Sequence, residues 1–278
     1  NYYKNHMIKQ AIIPLAGLGT RLLPLTSVMP KELLPINGKP NLEYIMDECL
    51  EAGIKEFIFI ISKNKSSIKK YFFNDRFYKK IIKKKNDKRI VEEFKKIKKY
   101  RKMIKFVYQN NPKGTGDAVL RCRKYIKENF FLMLLPDDII INKNCSKEMI
   151  NLHKRTKASI IATKRVDKKT VSRWGILAFT EKKKNFFRIK DVIEKPSSKQ
   201  APSNYAIIGR YILPTKIFSE IKYLKPGQGG EVHITDAIKN LIYRGEKFFG
   251  NIFMGKYLDC GTINGYIQSG IEIFKGQK

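Results

Sequence analysis

Cysteine is scarce and scattered. Cys49, Cys122, Cys145 and Cys260 lie far apart, and none forms a C-x-x-C pair. They read as reduced thiols in a cytoplasmic protein rather than as a disulfide framework. Three histidines, His6, His153 and His233, are too few and too dispersed for a zinc site. No apolar run nears the ~20 residues that a membrane helix needs. The longest, near Phe130 to Leu135, is closed by Pro136 and Asp137, so no membrane partner is expected. Asn1 to Gln10 is polar and basic and lacks the apolar stretch of a secretory signal. Internal repeats and Pro/Ser-rich linkers are also missing. Acidic residues are the last shortage: 25 Asp and Glu stand against 57 Lys and Arg, a net charge of +32.

A charge of that size points first to nucleic acid or another polyanion. Its distribution argues otherwise. Between Lys63 and Lys105 there are 19 Lys and Arg but only 4 Asp and Glu, so nearly half of the excess sits in one segment. That segment reads as helical, with Ile68, Phe72, Phe77, Ile81, Ile82, Ile90, Phe94 and Ile97 forming a patchy apolar face. It carries no RNA-binding aromatic motif, helix-turn-helix pattern or zinc-finger spacing. The chain is rich in Lys, Ile, Asn, Phe and Tyr, all with AT-rich codons, so coding bias alone raises Lys. No nucleic-acid partner is expected. The positive potential would still help to collect a polyphosphate substrate.

At 278 residues with 42% hydrophobic content, the chain is long enough for a sizeable core and too apolar for extensive disorder. Lys9 to Leu15 reads as a buried strand, followed by a Gly-rich loop. Asn41 to Ala52 reads as a helix ended by Gly53, and Glu56 to Ile61 as a second buried strand. Strand, loop, helix, strand is a βαβ unit and implies a parallel sheet. Further strands are expected at 104–109, 130–135, 159–163, 175–179, 187–194 and 206–213. Helices are expected at 116–126, 216–223 and 234–244, the last capped by Thr235 or Asp236. The reading is one α/β domain over 9–270 with an antiparallel elaboration in its second half. An N-terminal extension (1–8), the basic helical segment within the domain (63–105) and a C-terminal tail (271–278) complete it.

Four stretches carry chemistry. The first strand runs into Ala16-Gly17-Leu18-Gly19-Thr20-Arg21, with Lys31 and Glu32 shortly after. Glycines directly behind a buried strand let backbone N–H groups approach a ligand, and ligands of open α/β sheets bind at the carboxyl ends of strands. Arg21 and Lys31 suit a phosphate chain. The pattern is neither a P-loop, since G-x-x-x-x-G-K-[ST] is absent, nor a dinucleotide fingerprint, since Leu22 stands where a third glycine belongs. The second stretch is Lys113-Gly114-Thr115-Gly116-Asp117, behind a strand ending at Gln109, whose amide both donates and accepts as base recognition requires. The third is Leu134-Leu135-Pro136-Asp137-Asp138, where a carboxylate at the end of an apolar strand could hold a hard cation, with Asp259 of Tyr257-Leu258-Asp259-Cys260-Gly261-Thr262 as partner. Which of Asp137 and Asp138 dominates stays open. The fourth is Val192-Ile193-Glu194-Lys195-Pro196: a Glu that can accept from sugar hydroxyls beside a Lys that can grip a phosphate. Taken singly, each is read as readily as a turn, a cap or a solvated charge pair.

In this order the four are specific. With I-I-P-L-A-G-L-G-T-R-L-L-P-L-T (12–26), P-K-E-L-L-P-I (30–36), K-G-T-G-D-A-V-L (113–120), A-P-S-N-Y-A-I-I-G-R-Y-I-L (201–213) and G-E-V-H-I-T-D-A-I (230–238), the chain resembles the bacterial UTP–glucose-1-phosphate uridylyltransferases (UDP-glucose pyrophosphorylases) of the sugar-phosphate nucleotidyltransferase superfamily. The likeness runs from about Gln10 to Gly270. Leu18 favours the uridylyl branch, since thymidylyl and adenylyl relatives usually have a second glycine there.

The resemblance implies a three-layer α/β/α, Rossmann-like domain around a mixed, mostly parallel sheet. It also implies UTP and glucose 1-phosphate as substrates, Mg²⁺ as cofactor, and a homo-oligomer, dimer or tetramer. By the same likeness, Ala16, Gly17, Glu32, Gln109 and Gly114 would hold uracil and ribose within the loop that includes Leu18 and Gly19. Arg21 and Lys31 would grip the triphosphate. Asp137 and Asp259 would bind the metal. Gly175, Glu194 and Lys195 would position the sugar phosphate, with Glu231 a further sugar contact. The alternatives are a thymidylyltransferase of the same superfamily and a non-catalytic basic binding protein.

Overall fold

A computed structural model describes residues 7–74, 76–85 and 87–276. Strands β1 (Gln10–Pro14), β2 (Pro35–Ile36) and β3 (Lys39–Pro40) lead into helix α1 (Asn41–Glu51), which is followed by β4 (Glu56–Ile61). The basic segment forms α2 (Ser66–Phe73), α3 (Arg76–Lys85) and α4 (Lys88–Arg101). Then come β5 (Ile104–Tyr108), α5 (Thr115–Leu120), β6 (Phe130–Leu134), β7 (Asp138–Ile141), α6 (Cys145–Thr156) and β8 (Ser159–Arg165). The second half adds β9 (Gly175–Lys182), β10 (Phe186–Glu194), β11 (Tyr205–Pro214), α7 (Ile217–Tyr223), α8 (Ile234–Tyr243), β12 (Phe248–Ile252), β13 (Lys256–Asp259) and α9 (Ile263–Lys275).

The main sheet runs β5-β4-β1-β6-β11-β8-β12-β10-β9. β5, β4, β1 and β6 are parallel neighbours, as are β8 and β12, while β11 and β10 run against their neighbours. The sheet is therefore mixed, with all strands but β10 and β11 running in one direction, and the hairpin of β9 and β10 is the antiparallel elaboration.

Side-chain alternation assigns the layers. Ala11, Ile13, Phe57, Phe59, Ile61, Leu132 and Leu134 point to one face, where they meet Ile45, Met46 and Cys49 of α1, Ile68 and Phe72 of α2, and Met149 and Leu152 of α6. Ile12, Ile58, Ile60, Phe131 and Met133 point to the other, against Val119 of α5, Phe218 and Ile221 of α7, and Ile238 and Leu241 of α8. Helices on both faces make the three layers α/β/α. Continuous apolar strands such as Glu-Phe-Ile-Phe-Ile-Ile are what a doubly covered sheet requires.

α1 ends as expected. Gly53, at φ +95°, donates to Leu50 O (3.0 Å), and Ile54 donates to Cys49 O (3.0 Å), a closure that needs a left-handed residue. In the basic segment Ile68, Phe72 and Ile97 are buried, whereas Ile81 is exposed, so the apolar face is real in α2 and α4 but not continuous. The side chain of Phe77 lies outside the described residues.

Two helix expectations need correction. The helix expected over 116–126 stops at Leu120. A 3-10 turn follows at 123–125, and buried Gln10 then draws the chain onto β1: its Nε2 donates to Tyr125 O (2.9 Å), and its Oε1 accepts from Lys127 N (2.7 Å). Neither Thr235 nor Asp236 caps α8. His233 occupies the cap position, Thr115 Oγ1 accepts from Ile234 N (3.2 Å), and Thr235 lies inside the helix with its hydroxyl directed elsewhere.

One polar cluster ties the layers together. Arg210 of β11, with a fully buried side chain, pairs with Glu48 of α1 through Nε and Nη2 (2.9 to 3.2 Å). The guanidinium also donates to the carbonyls of Leu135, Gly209 and Asp138. Glu48 Oε1 accepts in turn from Ser146 N and Oγ at the start of α6.

Candidate active site

β1 and β6 are parallel neighbours, with Ala11 opposite Leu132 and Ile12 opposite Met133. The chain leaving β1 at Leu15 and the chain leaving β6 at Leu135 therefore emerge side by side at the carboxyl edge of the sheet, where open α/β sheets bind ligands. The first loop folds onto itself: Gly19 takes φ +70°, its carbonyl accepts from Thr26 Oγ1 (2.9 Å), and 3-10 turns at 20–22, 25–27 and 31–33 follow. This presents Lys31 to the second loop. Lys31 Nζ lies 2.8 Å from Asp137 Oδ2, and Arg21 Nη2 lies 3.5 Å from the same oxygen.

The Asp137 side chain is well covered, and burial alone would push its carboxyl up. The Lys31 ammonium outweighs burial, with Arg21 adding to it, and holds the carboxyl below its usual value. Lys31 is affected conversely: burial opposes its charge, but Asp137 and Glu32 outweigh that and raise it. Both groups are thus held ionised.

Asp259, at the end of β13, accepts from Gly261 N at Oδ1 (2.9 Å) and meets Arg173 Nη2 at Oδ2 (3.7 Å). Gly261 shows how close the two halves come. A Cβ there would stand 2.9 Å from Asp137 Oδ2, 2.9 Å from Arg21 Nη2 and 3.2 Å from Asp259 Oδ1. The two carboxylates and the Arg21 guanidinium converge on one point, which only a residue without a side chain leaves clear. Asp138 is different in kind. Its Oδ1 accepts from Tyr257 Oη (2.6 Å) and its Oδ2 from Gly209 N (3.1 Å). Burial and the neighbouring Asp137 charge push it up to about 6. Both of its oxygens are engaged by the fold, although Asp138 lines the cavity beside Asp137.

Around this centre opens a cavity of about 680 Å³, lined by Arg21, Asp137, Gly175, Glu194, Lys195, Glu231 and Asp259 among others. In the same lining Gly175 pairs with Glu194 across β9 and β10. A Cβ at Gly175 would lie 3.2 Å from Glu194 Oε2, the oxygen that accepts from Thr235 Oγ1 (3.0 Å). Lys195 follows at φ +45°, with its backbone N–H on Trp174 O (3.0 Å) and its side chain exposed.

The base-side expectations fare unevenly. Ala16, Gly17, Leu18, Gly19, Gln109 and Gly114 lie outside the lining of this cavity. Leu18 is exposed and Gln109 is buried. Gln109 Nε2 donates to Asp117 Oδ2 (2.6 Å) and Gly114 O (3.3 Å), which fixes the orientation of its amide. Gly114, at φ +101°, has a purpose the sequence did not disclose: a Cβ there would meet Val232 O at 2.5 Å. Val232 and Lys113 are joined by a backbone bond (2.8 Å), so the glycine lets the Glu231 segment pack on this loop. Glu32 lies beneath the first loop. It is fully buried, and both of its oxygens accept from Lys65 Nζ (2.7 and 2.8 Å). It props the loop from beneath. Burial pushes Glu32 up and Lys65 down against their mutual attraction.

The sequence reading missed Arg173, Trp174, Tyr211 and Tyr257 as lining residues. Lys164 also escaped it; its Nζ sits 4.0 Å from the Tyr257 ring centroid, and burial lowers its pKa. Arg173 and Trp174 directly precede Gly175 and Tyr257 lies two before Asp259, so neighbourhood to a motif was the available signal.

A mixed α/β sheet with cations and carboxylates gathered at its carboxyl edge defines a site for phosphate-bearing substrates, of the nucleotide-transferring class. The family described as nucleotidyl transferase matches residues 10–275, and the chain belongs to it. A UTP–glucose-1-phosphate uridylyltransferase of Bacillus subtilis is 36% identical over 266 residues, covering 95% of this chain and 90% of that protein. A UDP-glucose pyrophosphorylase solved with UDP-glucose superposes with a TM-score of 0.85 at 34% identity, covering 97% of this chain and all of the other. A UTP-bound enzyme of the same name from Acinetobacter baumannii gives 0.87 at 29% identity, covering 96% and 93%. No helix among the described residues is long and apolar enough to cross a membrane.

Proposed function

We propose that the protein transfers the uridylyl group of UTP to α-D-glucose 1-phosphate, forming UDP-glucose and pyrophosphate. The observation that carries this reading is the convergence of Arg21, Asp137 and Asp259 on Gly261, in a cavity that Glu194 and Lys195 also line. A phosphate oxygen of glucose 1-phosphate attacks the α-phosphorus of UTP, and the bond to the bridging oxygen breaks as pyrophosphate leaves. The protein supplies no nucleophile. It overcomes the repulsion of two polyanions by positioning and by charge.

Lys31 and Arg21 neutralise the triphosphate and the leaving pyrophosphate. Lys195 takes the phosphate of the sugar, and Glu194, steadied by Thr235, accepts from its hydroxyls. Asp137 and Asp259 suit Mg²⁺, because two carboxylates drawn toward one point supply the one or two protein ligands this cation takes and leave the rest of its shell to phosphate and water. Bound there, Mg²⁺ would neutralise phosphate charge as it develops. Ala16, Gly17, Leu18, Gly19, Gln109 and Gly114 form the base and ribose side of the proposal. The thymidylyl alternative ranks second, because the relatives above one-third identity carry the uridylyl name. Four buried free thiols agree with a reducing, cytoplasmic setting, and the exposed Ile267, Ile271 and Phe274 of α9 offer an apolar face to a second copy of the chain.

The test is pyrophosphate release from glucose 1-phosphate and Mg²⁺ with UTP and dTTP in parallel. Strong release with UTP is expected. Preference for dTTP would overturn the base assignment. No release from folded protein would leave a binding protein.

A further inference from the structure

The sugar end of the cavity holds a cation that the proposed reaction has not yet used. Arg173 closes a 3-10 segment, Lys168–Arg173, and is followed by Trp174 and Gly175. Trp174 O holds the N–H of Lys195 (3.0 Å), and Gly175 packs on Glu194. Arg173 is thus fixed in the same backbone assembly as the two groups assigned to the sugar phosphate. Its side chain lines the cavity, is 54% exposed, and touches Asp259 Oδ2 at 3.7 Å with one Nη. Such a contact is loose: a good charged hydrogen bond is about 2.7–2.9 Å.

The two facing carboxylates are neutralised from different elements. Asp137 is held by Arg21 and Lys31 of the first loop, whereas Asp259 is held by Arg173 from the sugar side. A phosphate monoester carries close to two negative charges near neutral pH, and Lys195 alone balances one. A planar guanidinium can bind phosphate through two parallel N–H groups, fixing orientation as well as charge.

We infer that Arg173 is a second phosphate-binding residue for the attacking sugar phosphate, acting with Lys195 and using Asp259 as its resting partner. This deepens the proposed function and rests on it. Arg173 presents the phosphate for attack by gripping oxygens other than the attacking one, and Asp259 keeps the guanidinium in the cavity between turnovers.

The experiment compares wild type, Arg173→Gln and Arg173→Lys. In the forward assay Arg173→Gln is expected to raise the KM for glucose 1-phosphate by about 10–100-fold while the KM for UTP stays within twofold. Arg173→Lys should recover part of the loss, because a single ammonium restores charge without the fork. Mn²⁺ binding to the substrate-free protein, followed by electron paramagnetic resonance, gives a readout without turnover. Removing a positive charge beside Asp259 should tighten it severalfold. Opposite signs, tighter cation binding with weaker sugar-phosphate binding, are not produced by a merely structural role. An unchanged KM for glucose 1-phosphate, an equal rise for UTP, or Mn²⁺ binding that weakens would each overturn the inference. Wild-type protein without turnover would instead refute the proposed function, with the Mn²⁺ comparison still reporting on the Arg173–Asp259 contact.

Discussion

Replacing Glu48 by alanine should destabilise the protein by about 3–5 kcal/mol, the usual cost of stranding one member of a buried ion pair. Arg210 has a fully buried side chain, so its guanidinium cannot turn to water without opening the layer between α1 and β11. Burial opposes its charge, and Glu48 is the chief group that sustains it. Three backbone carbonyls would remain as acceptors, but none brings a countercharge. Ser146 would lose its acceptor as well. At about 2–4 °C per kcal/mol for a chain of this order of size, Tm should fall by roughly 6–20 °C, measured by calorimetry and checked by the urea midpoint. Activity should fall too, at temperatures where the variant is still folded, because Arg210 holds the carbonyls of Leu135 and Asp138 on either side of Asp137. The double variant Glu48→Ala/Arg210→Met should regain much of the stability. A single variant within 2 °C of wild type, or strictly additive effects in the pair, would refute this account of the cluster.

Asp137→Ala and Lys195→Ala should each lose about 10²–10³ in kcat, the usual cost of one electrostatic contact to a transition state, with unchanged circular dichroism; full activity in either would remove that residue from the mechanism. Gly261→Ala should abolish turnover even at temperatures well below its Tm, since the added methyl fills the point between Asp137, Asp259 and Arg21; normal turnover would mean that this point is not used. Asp138 should make stability fall as pH rises from about 4 to 6. Its folded value, about 6, lies above its ordinary 3.8, so the folded state binds the extra proton in that window. Urea midpoints at pH 4 and 7 should therefore decline more for wild type than for Asp138→Asn; parallel slopes would refute it.

The parallel half of the sheet was legible because its strands are buried on both faces and read as unbroken apolar runs. Short or interrupted elements were not. β12, Phe-Phe-Gly-Asn-Ile, contains a glycine that lets Phe187 pack on the strand: a Cβ at Gly250 would meet that ring at 2.5 Å. α6 hides its apolar residues among Lys, His and Arg, and α9 exposes Ile267, Ile271 and Phe274 while burying little besides Ser269 and Ile273. At the site, the sequence identified charged residues whose type fits phosphate chemistry, and Arg21, Asp137, Glu194, Lys195, Glu231 and Asp259 do line one cavity. It missed residues whose contribution depends on which way a turn faces, as with Arg173. Nor does anything local reveal that Lys65, 33 positions from Glu32, pairs with it beneath the first loop.

The loops of the candidate active site hold their cations in reserve. Arg21 and Lys31 rest on Asp137, and Arg173 rests on Asp259. A simple inorganic anion arriving alone must pull these pairs apart and leave carboxylates uncompensated, so it gains little by entering. The carboxylates act as built-in competitors that set a threshold, and only an occupant that replaces the charge they lose can cross it.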